Sequence, residues 1–381
     1  MALHAVDLLG GAVRVAGVIE LEPTDAGIAL HRMPAWARAQ HNDITLSVCE
    51  TMPSGGRLEM VTDATALELE VQLTLLQLGA DPGPAAVFEL VVDGVVTDEV
   101  STRTGTLIVV DRATGAIDLQ PGGRTTIRFD GLPNARKHVE VWLPHAAVVN
   151  LIGLRTDGTV TAPEPRTTRR WVHYGSSISH CLEATRPTGV WPVVAARRAG
   201  VDLQSFAFAG QCQLDPFAAR MIAAQPADLV SLKLGINIVN ADSMRERTFV
   251  PSVHGFLDTI RDRHPDVPLV LITPITCPVV EDHPGPTGVD AAGRCAVVER
   301  PEELALGALT LGRIRELEAE IVAARRAAGD PHLHLVHGPE LFGPDDVEDL
   351  PDGLHPNHAG YQRIGERFHA LAFEGDGPFR A

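Results

Sequence analysis

The sequence predicts two domains, an antiparallel β-sandwich followed by an α/β domain built on a parallel sheet. Two patterns carry this prediction. Apolar residues alternate with period two in the first 160 residues, whereas strand-like and helix-like segments alternate in the second half. The length of 381 residues also exceeds the usual size of one domain. The polar, proline-bearing stretch TAPEPRTTRR at 161–170 marks the predicted boundary and divides the chain into domains 1–162 and 163–381.

The first domain is predicted to consist of short strands joined by tight turns. In LELEVQLTL, at 67–75, every second residue is apolar and the residues between are polar, as in a strand with one buried face. In FELVVDGVVTDEV, Asp93 and Gly94 separate two β-branched runs, which predicts a two-residue hairpin turn because both residues tolerate positive φ. Many such strands without helical periodicity favour an antiparallel sandwich.

The second domain shows nearly continuous apolar strands alternating with helix-like segments. The strand-like segments are WVHYG, LQSFAFAG, DLVSLKLG, PLVLITP and HLHLVHG. Between the last two, Ile314, Leu317 and Ile321 recur at helical spacing, and Gly329 is a stop signal. This alternation predicts a parallel sheet covered on both faces. In such sheets ligands bind beyond the carboxyl ends of the strands, so the loops after the strands are the candidate site.

Composition excludes several classes of partner. Apolar residues make up 45% and charged residues 21%, which is typical of a globular protein, and the net charge of −17 disfavours nucleic acid and anionic lipid. No run approaches the ~20 apolar residues of a membrane span. The five cysteines are widely spaced without a C-x-x-C pair, and the first residues lack a basic signal-peptide region. We therefore expect a cytoplasmic protein with reduced thiols.

The strand-end loops contain the residue types that acyl transfer requires. Ser177 follows the first strand of the second domain, Gly210 the second and Asn237 the third, while Asp352 and His355 follow the fifth. A serine hydroxyl needs a base to remove its proton, and a histidine held by a carboxylate is such a base. A glycine N–H and a carboxamide can receive the negative oxygen of the tetrahedral intermediate.

With these segments the sequence resembles the SGNH (GDSL-type) hydrolase family, whose motif blocks centre on Ser, Gly, Asn and His in this order. The resemblance spans about residues 171–372. It implies a three-layer, flavodoxin-like α/β fold with Ser177 as nucleophile, His355 as base and Asp352 as its partner. It also implies an oxyanion hole made of the Ser177 N–H, the Gly210 N–H and the Asn237 amide. The first half resembles the jelly-roll-like domain that precedes some SGNH carbohydrate esterases.

This resemblance predicts a serine esterase that needs neither a metal nor another cofactor. The expected substrates are short-chain carboxylic esters, with O-acetyl groups on a carbohydrate favoured, and a homo-oligomer is left open. Two alternatives are a lysophospholipase or thioesterase acting on longer acyl chains and a non-catalytic carbohydrate-binding protein on the same fold. Activity on any ester that survives Ser177→Ala would show that the protein does not use this serine mechanism.

Several residues have two interpretations. Ser176 and Ser179 are expected to be turn and cap residues beside the nucleophile. Trp191 lines a substrate pocket or belongs to the core. Cys181 and Cys212, each just past a candidate site residue, are free thiols or a disulfide that braces the oxyanion loop.

Three further features compete with or modify this site. Asp282 and His283 offer another acid–histidine pair, but adjacent side chains point apart, so we expect their loop to form only a pocket wall. The segment HLHLVH suggests zinc, yet its third histidine would face away from the other two and no acidic ligand stands at metal spacing. Ile238 follows Asn237 where many family members have aspartate, which predicts the loss of a loop-anchoring hydrogen bond.

Overall fold

The computed structural model of the chain describes residues 2–79, 81–111, 114, 116–165 and 167–380. The chain forms two compact units and enters each of them more than once. The first unit contains the residues up to Arg38, Ser47–Thr167 and Thr185–Thr188; the second contains Ala39–Leu46, Thr168–Ala184 and the residues from Gly189 onward. A single domain boundary at 162/163 stays a prediction, and Arg166 in that stretch lies outside the described residues.

Fourteen described strands and two short helices precede residue 162. In chain order they are β1 (His4–Val6), β2 (Arg14–Ala16), β3 (Glu20–Thr24), β4 (Gly27–His31), α1 (Ala35–Arg38), α2 (Ile44–Glu50), β5 (Arg57–Thr62), β6 (Ala66–Leu78), β7 (Ala86–Val92), β8 (Val95–Thr102), β9 (Thr106–Val110), β10 (Ile117–Gln120), β11 (Thr125–Asp130), β12 (Lys137–Trp142), β13 (Ala147–Thr156) and β14 (Val160–Thr161).

The elements of the second half alternate between strands and helices. In chain order they are β15 (Arg170–Gly175), α3 (Ser177–His180), α4 (Trp191–Ala199), β16 (Asp202–Ala207), α5 (Pro216–Ala224), β17 (Leu229–Lys233), α6 (Ile236–Ala241), α7 (Glu246–Arg261), β18 (Leu269–Ile272), β19 (Thr287–Val289), β20 (Cys295–Val297), α8 (Glu302–Ala305), α9 (Leu311–Ala327), β21 (Leu333–Val336), α10 (Gly338–Leu341) and α11 (His358–Phe373); single 3₁₀ turns lie at Pro187–Gly189 and Pro344–Asp349.

Two sheets make up the first unit and share one apolar core. One sheet has the order β10-β9-β6-β13-β4-β3, with β1 beside β13 and β11 beside β6; the other has the order β14-β5-β12-β7-β8, with β2 beside β5. Inward-facing side chains of both sheets, among them Leu69 of β6 and Val139 of β12, form the core cluster. Their burial out of water is the main term that holds the sheets together.

Period-two alternation in the sequence is confirmed along β6, where the apolar side chains from Leu67 to Leu75 are buried and the polar ones between them are half-buried. The hairpin turn between β7 and β8 is also confirmed, with positive φ at Asp93 (47°) and Gly94 (83°). The antiparallel prediction has one exception among the described strands, since β6 and β9 pair in parallel.

The second unit contains a five-stranded parallel sheet of order β16-β15-β17-β18-β21. Helix α4 packs against α11, and α5 packs against α7, which also contacts α9. The parallel α/β fold predicted for this half is thereby confirmed. The chain moves outward from β15 in one direction to β16 and in the other to β17, so the strand order reverses between β15 and β17. Ligands of such sheets bind beside this switch point.

The contact between α4 and α11 depends on a glycine that no other residue can replace without strain. A Cβ at Gly365 would lie 2.7 Å from Val194 Cβ and 2.8 Å from the Trp191 carbonyl oxygen. We expect Gly365→Ala to lower the free energy of unfolding by about 1–3 kcal/mol, because the two helices must move apart. Urea denaturation of the purified protein measures this.

Gly255→Ala in the middle of α7 is the matched control. A Cβ there meets no other atom within 4 Å. Alanine is the better helix former, so this substitution should raise the free energy of unfolding by about 0.5–1 kcal/mol. Both substitutions replace glycine by alanine inside a helix, so the change in helix propensity favours stability at both sites and cannot explain a loss at Gly365. A Gly365→Ala protein as stable as the natural one would contradict the close packing of the two helices.

Candidate active site

Ser177 is presented at the end of the central strand β15. The strand ends at Gly175, and the side chain of Ser176 caps the next helix by accepting a hydrogen bond from the Ile178 N–H at 3.3 Å. A Cβ at Gly175 would lie 2.4 Å from Ser179 Oγ, so only glycine allows this tight strand-to-helix connection. Ser177 keeps 8% of its surface exposed, whereas Ser176 and Ser179 are fully buried.

Ser177, His355 and Asp352 form one hydrogen-bonded chain. Ser177 Oγ lies 2.9 Å from His355 Nε2, and His355 Nδ1 lies 2.7 Å from Asp352 Oδ2. The other carboxylate oxygen of Asp352 accepts from the backbone N–H groups of Leu354 (2.9 Å) and His355 (2.7 Å). Because an ionised carboxylate only accepts, Nδ1 carries the ring proton and Nε2 is left to accept from the serine hydroxyl.

The electrostatics of this chain favour an ionised Asp352 and a basic His355. Burial alone raises the pKa of Asp352, but the hydrogen bond and charge of His355, with the two backbone donors, outweigh it and lower that pKa to about 2. Burial lowers the pKa of His355, yet the charges of Glu183 and Asp352 and the Asp352 hydrogen bond raise it above its ordinary value. The imidazolium form of His355 is therefore stabilised by two neighbouring carboxylates.

Glu183, one of these two carboxylates, was not identified from the sequence. Its Oε1 lies 3.6 Å from His355 Nδ1, and its Oε2 accepts a hydrogen bond from the Tyr361 hydroxyl at 2.7 Å. The chain returns Glu183 toward the histidine because Cys181 adopts the left-handed conformation (φ 60°) and ends the short helix α3. A positive φ at a cysteine has no sequence signal, so the spacing from Ser177 alone does not predict this contact.

The loops after β16 and β17 are joined by the side chain of Asn237. Gly210 adopts positive φ (74°), as does Gly235 before α6 (96°). Asn237 is 4% exposed, its Oδ1 accepts from the Cys212 N–H at 3.0 Å, and its backbone carbonyl accepts from Gln213 Nε2 at 3.1 Å. With Oδ1 bound to the backbone, the amide group Nδ2 is the part of the side chain left to donate to a ligand.

The absence of aspartate after Asn237 has a structural compensation. The side chain of Ile238 is a buried hydrocarbon with 1% exposure, so it has no group that could form the hydrogen bond an aspartate side chain would make. The bond from the Cys212 N–H to Asn237 Oδ1 anchors the loop in its place.

Trp191 lies apart from the hydrogen-bonded chain. Its ring is fully buried and contacts Trp171, His173 and Phe368 at centroid distances of 6.2, 4.8 and 5.2 Å. An indole with no exposed surface offers nothing to a substrate arriving from solvent. Its position favours the core interpretation over the pocket interpretation.

The five cysteines are free thiols, so the disulfide between Cys181 and Cys212 is not formed. The Cys181 thiol donates to the Ile178 carbonyl at 3.3 Å, and the Cys212 thiol to the Lys233 carbonyl at 3.5 Å. Burial raises the pKa of both, that of Cys212 to about 12, so they are neutral at ordinary pH.

The competing motifs form no comparable arrangement. Asp282 and His283 are both exposed in a loop after β18. Within the described ranges, no group of three or more His, Cys, Asp and Glu side chains is arranged to hold a metal ion, the HLHLVH histidines included. Searched over the same residues, the helices include none with the length and apolar character needed to cross a membrane.

Comparisons with known proteins agree with this architecture. Residues 173–363, half of the chain, match the GDSL-like lipase/acylhydrolase family. No curated protein sequence matches the chain. The solved structure of the salicylyl-acyltransferase SsfX3 from a tetracycline biosynthetic pathway is similar over 96% of this chain and 95% of that chain, with a TM-score of 0.78 and 26% identity.

Two solved esterases share the fold at lower identity. One is an active-site mutant of a family two carbohydrate esterase from Clostridium thermocellum, covering 83% of this chain and 90% of that chain with a TM-score of 0.56 and 16% identity. The other is an acetyl xylan esterase from the rumen bacterium Butyrivibrio proteoclasticus, covering 97% of both chains with a TM-score of 0.52 and 12% identity. The resemblance inferred from the four motif blocks is thus confirmed, and the chain belongs to the GDSL-like lipase/acylhydrolase family.

Proposed function

We propose that this protein is a serine esterase that hydrolyses short-chain carboxylic esters, with O-acetyl groups on a carbohydrate as the favoured substrates. The observation that carries the proposal is the continuous hydrogen-bonded chain from Ser177 through His355 to Asp352, with distances of 2.9 and 2.7 Å. Such a chain is the arrangement that activates a serine hydroxyl for attack on a carbonyl carbon.

The reaction proceeds in two halves. His355 Nε2 takes the Ser177 proton as Oγ bonds to the carbonyl carbon, and the imidazolium then gives that proton to the departing alcohol. Water next attacks the acyl-enzyme, with His355 again as base, and releases the acid and free Ser177. Asp352 keeps the ring in the required tautomer and stabilises its positive charge; it does not take the proton.

The negative oxygen of each tetrahedral intermediate is received by the N–H groups of Ser177 and Gly210 and by Asn237 Nδ2. Support for the third donor is the anchored amide, since its Oδ1 is occupied by the Cys212 N–H. A donor that is already oriented needs no reorganisation when the charge develops.

Acyl transfer to an alcohol other than water is the second candidate function. The salicylyl-acyltransferase that shares the fold at 26% identity favours it. Both functions use the same acyl-enzyme and differ only in the acceptor, whereas the acetyl xylan esterase among the neighbours favours hydrolysis of a small acyl group.

A series of p-nitrophenyl esters of increasing chain length, together with acetylated sugars, tests the proposal. We expect kcat/KM to be highest for acetyl or another short chain, and an intact-mass increase of one acyl group on Ser177 at early times. A preference for long chains would favour the lysophospholipase or thioesterase alternative. Ester or amide products formed with an added acceptor, in place of free acid, would favour acyl transfer, and the absence of any turnover would favour a binding protein.

Asn237→Ala should lower kcat by about 10²–10³-fold with little change in KM, because the lost donor acts on the transition state. Steady-state kinetics on the best short-chain ester measures both constants. The control is Gln213→Ala, which removes the hydrogen bond to the Asn237 carbonyl but leaves the amide side chain in place. If both variants lose activity equally, loop anchoring and not oxyanion binding explains the effect of Asn237.

A further inference from the structure

The environment of His355 contains more negative charge than a serine–histidine–aspartate chain requires. Asp352 Oδ2 lies 2.7 Å from His355 Nδ1, and Glu183 Oε1 lies 3.6 Å from the same nitrogen. The two carboxylates belong to different segments of the chain, one on the loop before α11 and one just after α3. Neither the four motif blocks nor the spacing of the predicted residues assigns a role to Glu183.

We propose that Glu183 is a positioning residue, a second carboxylate that is fixed by the Tyr361 hydroxyl and stabilises the imidazolium form of His355 during catalysis. This role rests on the proposed function only in that it assumes that His355 takes the serine proton. Glu183 has no contact with substrate in this scheme and acts through the histidine.

The anchor of Glu183 is a buried tyrosine. Tyr361 lies on α11 and has no exposed surface, and its hydroxyl donates to Glu183 Oε2 at 2.7 Å. Burial, the charge of Glu183 and neighbouring groups raise the pKa of Tyr361 well above its ordinary value, so the hydroxyl keeps its proton and remains a donor. The bond to Oε2 leaves Oε1 directed to the histidine and lowers the conformational freedom that a half-exposed glutamate otherwise has.

The two carboxylates act differently on the neutral and the protonated form of His355. Near the neutral ring they repel each other, whereas the positive charge of the protonated ring attracts both. Burial of the ring opposes protonation, and the combined effect of Glu183 and Asp352 exceeds it, so the pKa of His355 is raised. His355 is therefore a stronger base when it takes the proton of the serine hydroxyl.

Two thiols lie near this cluster, and the charge of the buried Lys233 acts on one of them, Cys181, whereas the charges that act on His355 are those of Glu183 and Asp352. Cys181 lies near Glu183 and Tyr361, and Cys295 lies near Asp352; burial raises the pKa of both thiols, so both are neutral. Glu183 and Asp352 are the charges that act on His355 within the described part of the chain.

Glu183→Gln keeps the size of the side chain and its ability to accept from Tyr361, and removes only the charge. We expect the acidic limb of the kcat/KM profile to move to lower pH, since the neutral ring is the active form and its pKa falls when the negative charge is removed. The plateau should fall by about three- to tenfold. An unchanged acidic limb in a folded Glu183→Gln protein would overturn the proposal.

Tyr361→Phe separates the anchor from the charge. This variant keeps the Glu183 side chain but removes the hydrogen bond that fixes its orientation, so the plateau should fall while the acidic limb moves less than in Glu183→Gln. The matched control is Glu366→Gln, which also removes one negative charge on or near α11; Glu366 is 52% exposed and pairs with Arg198 on the surface. If the acidic limb moves as far in this control as in Glu183→Gln, net charge explains the effect and the proposal is overturned.

A titration of the His355 ring by NMR makes the test independent of turnover. The His355 Cε1–H signal, assigned by its absence in His355→Gln, is followed against pH in Ser177→Ala and in Ser177→Ala/Glu183→Gln. We expect the midpoint to be lower in the double variant. If it is lower while no ester is turned over by the natural enzyme, the placement of Glu183 holds and the proposed function fails; if it is unchanged, the role of Glu183 fails whatever the activity.

Discussion

Ser177→Ala is expected to lower kcat/KM on any ester substrate by about 10⁴-fold or more, because no other group can form the acyl-enzyme. The hydroxyl is the first member of the hydrogen-bonded chain, and its oxygen lies 2.9 Å from the base that would take its proton. Substrate binding should survive, since the donors to the oxyanion come from the backbone and from Asn237. Steady-state assays and a fluorophosphonate probe that labels active serines both measure the loss.

Ser179→Ala is the matched control, two residues further along the same segment. Ser179 is fully buried and its side chain packs against Gly175, so it cannot contact a substrate. We expect it to retain activity within about threefold of the natural enzyme, the range of a small packing change. Full activity in Ser177→Ala on even one ester would show that the protein does not use this serine, and the acyl-enzyme scheme would then be wrong.

Much of the fold was predictable because burial imposes a period on the sequence. Along β6 the alternation of apolar and polar residues matches the alternation of buried and half-buried side chains, and in α9 Ile314, Leu317 and Ile321 lie on the buried face. The parallel pairing of β6 with β9 was not predictable, because the direction of a neighbouring strand leaves no mark on the period of either strand.

The candidate site was predictable where chemistry restricts the residue type. Few residues at the ends of the parallel strands can act as nucleophile, base or carboxylate, so Ser177, His355 and Asp352 could be chosen from the sequence. The structure brings their side chains into contact. Glu183 and Tyr361 were missed because neither belongs to a motif block and no sequence spacing connects them with His355. Their roles follow from a turn at Cys181 and from the packing of α11, which are tertiary properties.

For Trp191 the sequence left both a pocket and a core interpretation open. In the structure its ring is enclosed by Trp171, His173 and Phe368. Sequence position does not distinguish the two faces of a helix that begins at the tryptophan itself. Burial decides, and the enclosed ring belongs to the core.

His355→Gln is expected to reduce kcat/KM by about 10⁴-fold or more, because glutamine can hydrogen-bond the serine but cannot accept its proton at neutral pH. The pH profile gives a second readout. In the natural enzyme activity should rise with pH as His355 loses its proton, through a midpoint above the ordinary value for histidine, since Glu183 and Asp352 outweigh the effect of burial on its pKa. In His355→Gln this limb should disappear, and the residual rate should rise only with hydroxide concentration.

His334→Gln is the control, and it also tests the metal interpretation of HLHLVH. His334 lies on β21, and its burial and the nearby arginines lower its pKa, so the ring is neutral at ordinary pH and the substitution changes no charge. We expect unchanged turnover and an unchanged pH profile. If activity were lost in this variant and restored by added zinc, the mechanism would be metal-dependent and not the serine mechanism. Retained activity together with an inactive His355→Gln would instead assign the single titrating base to the residue that contacts Ser177.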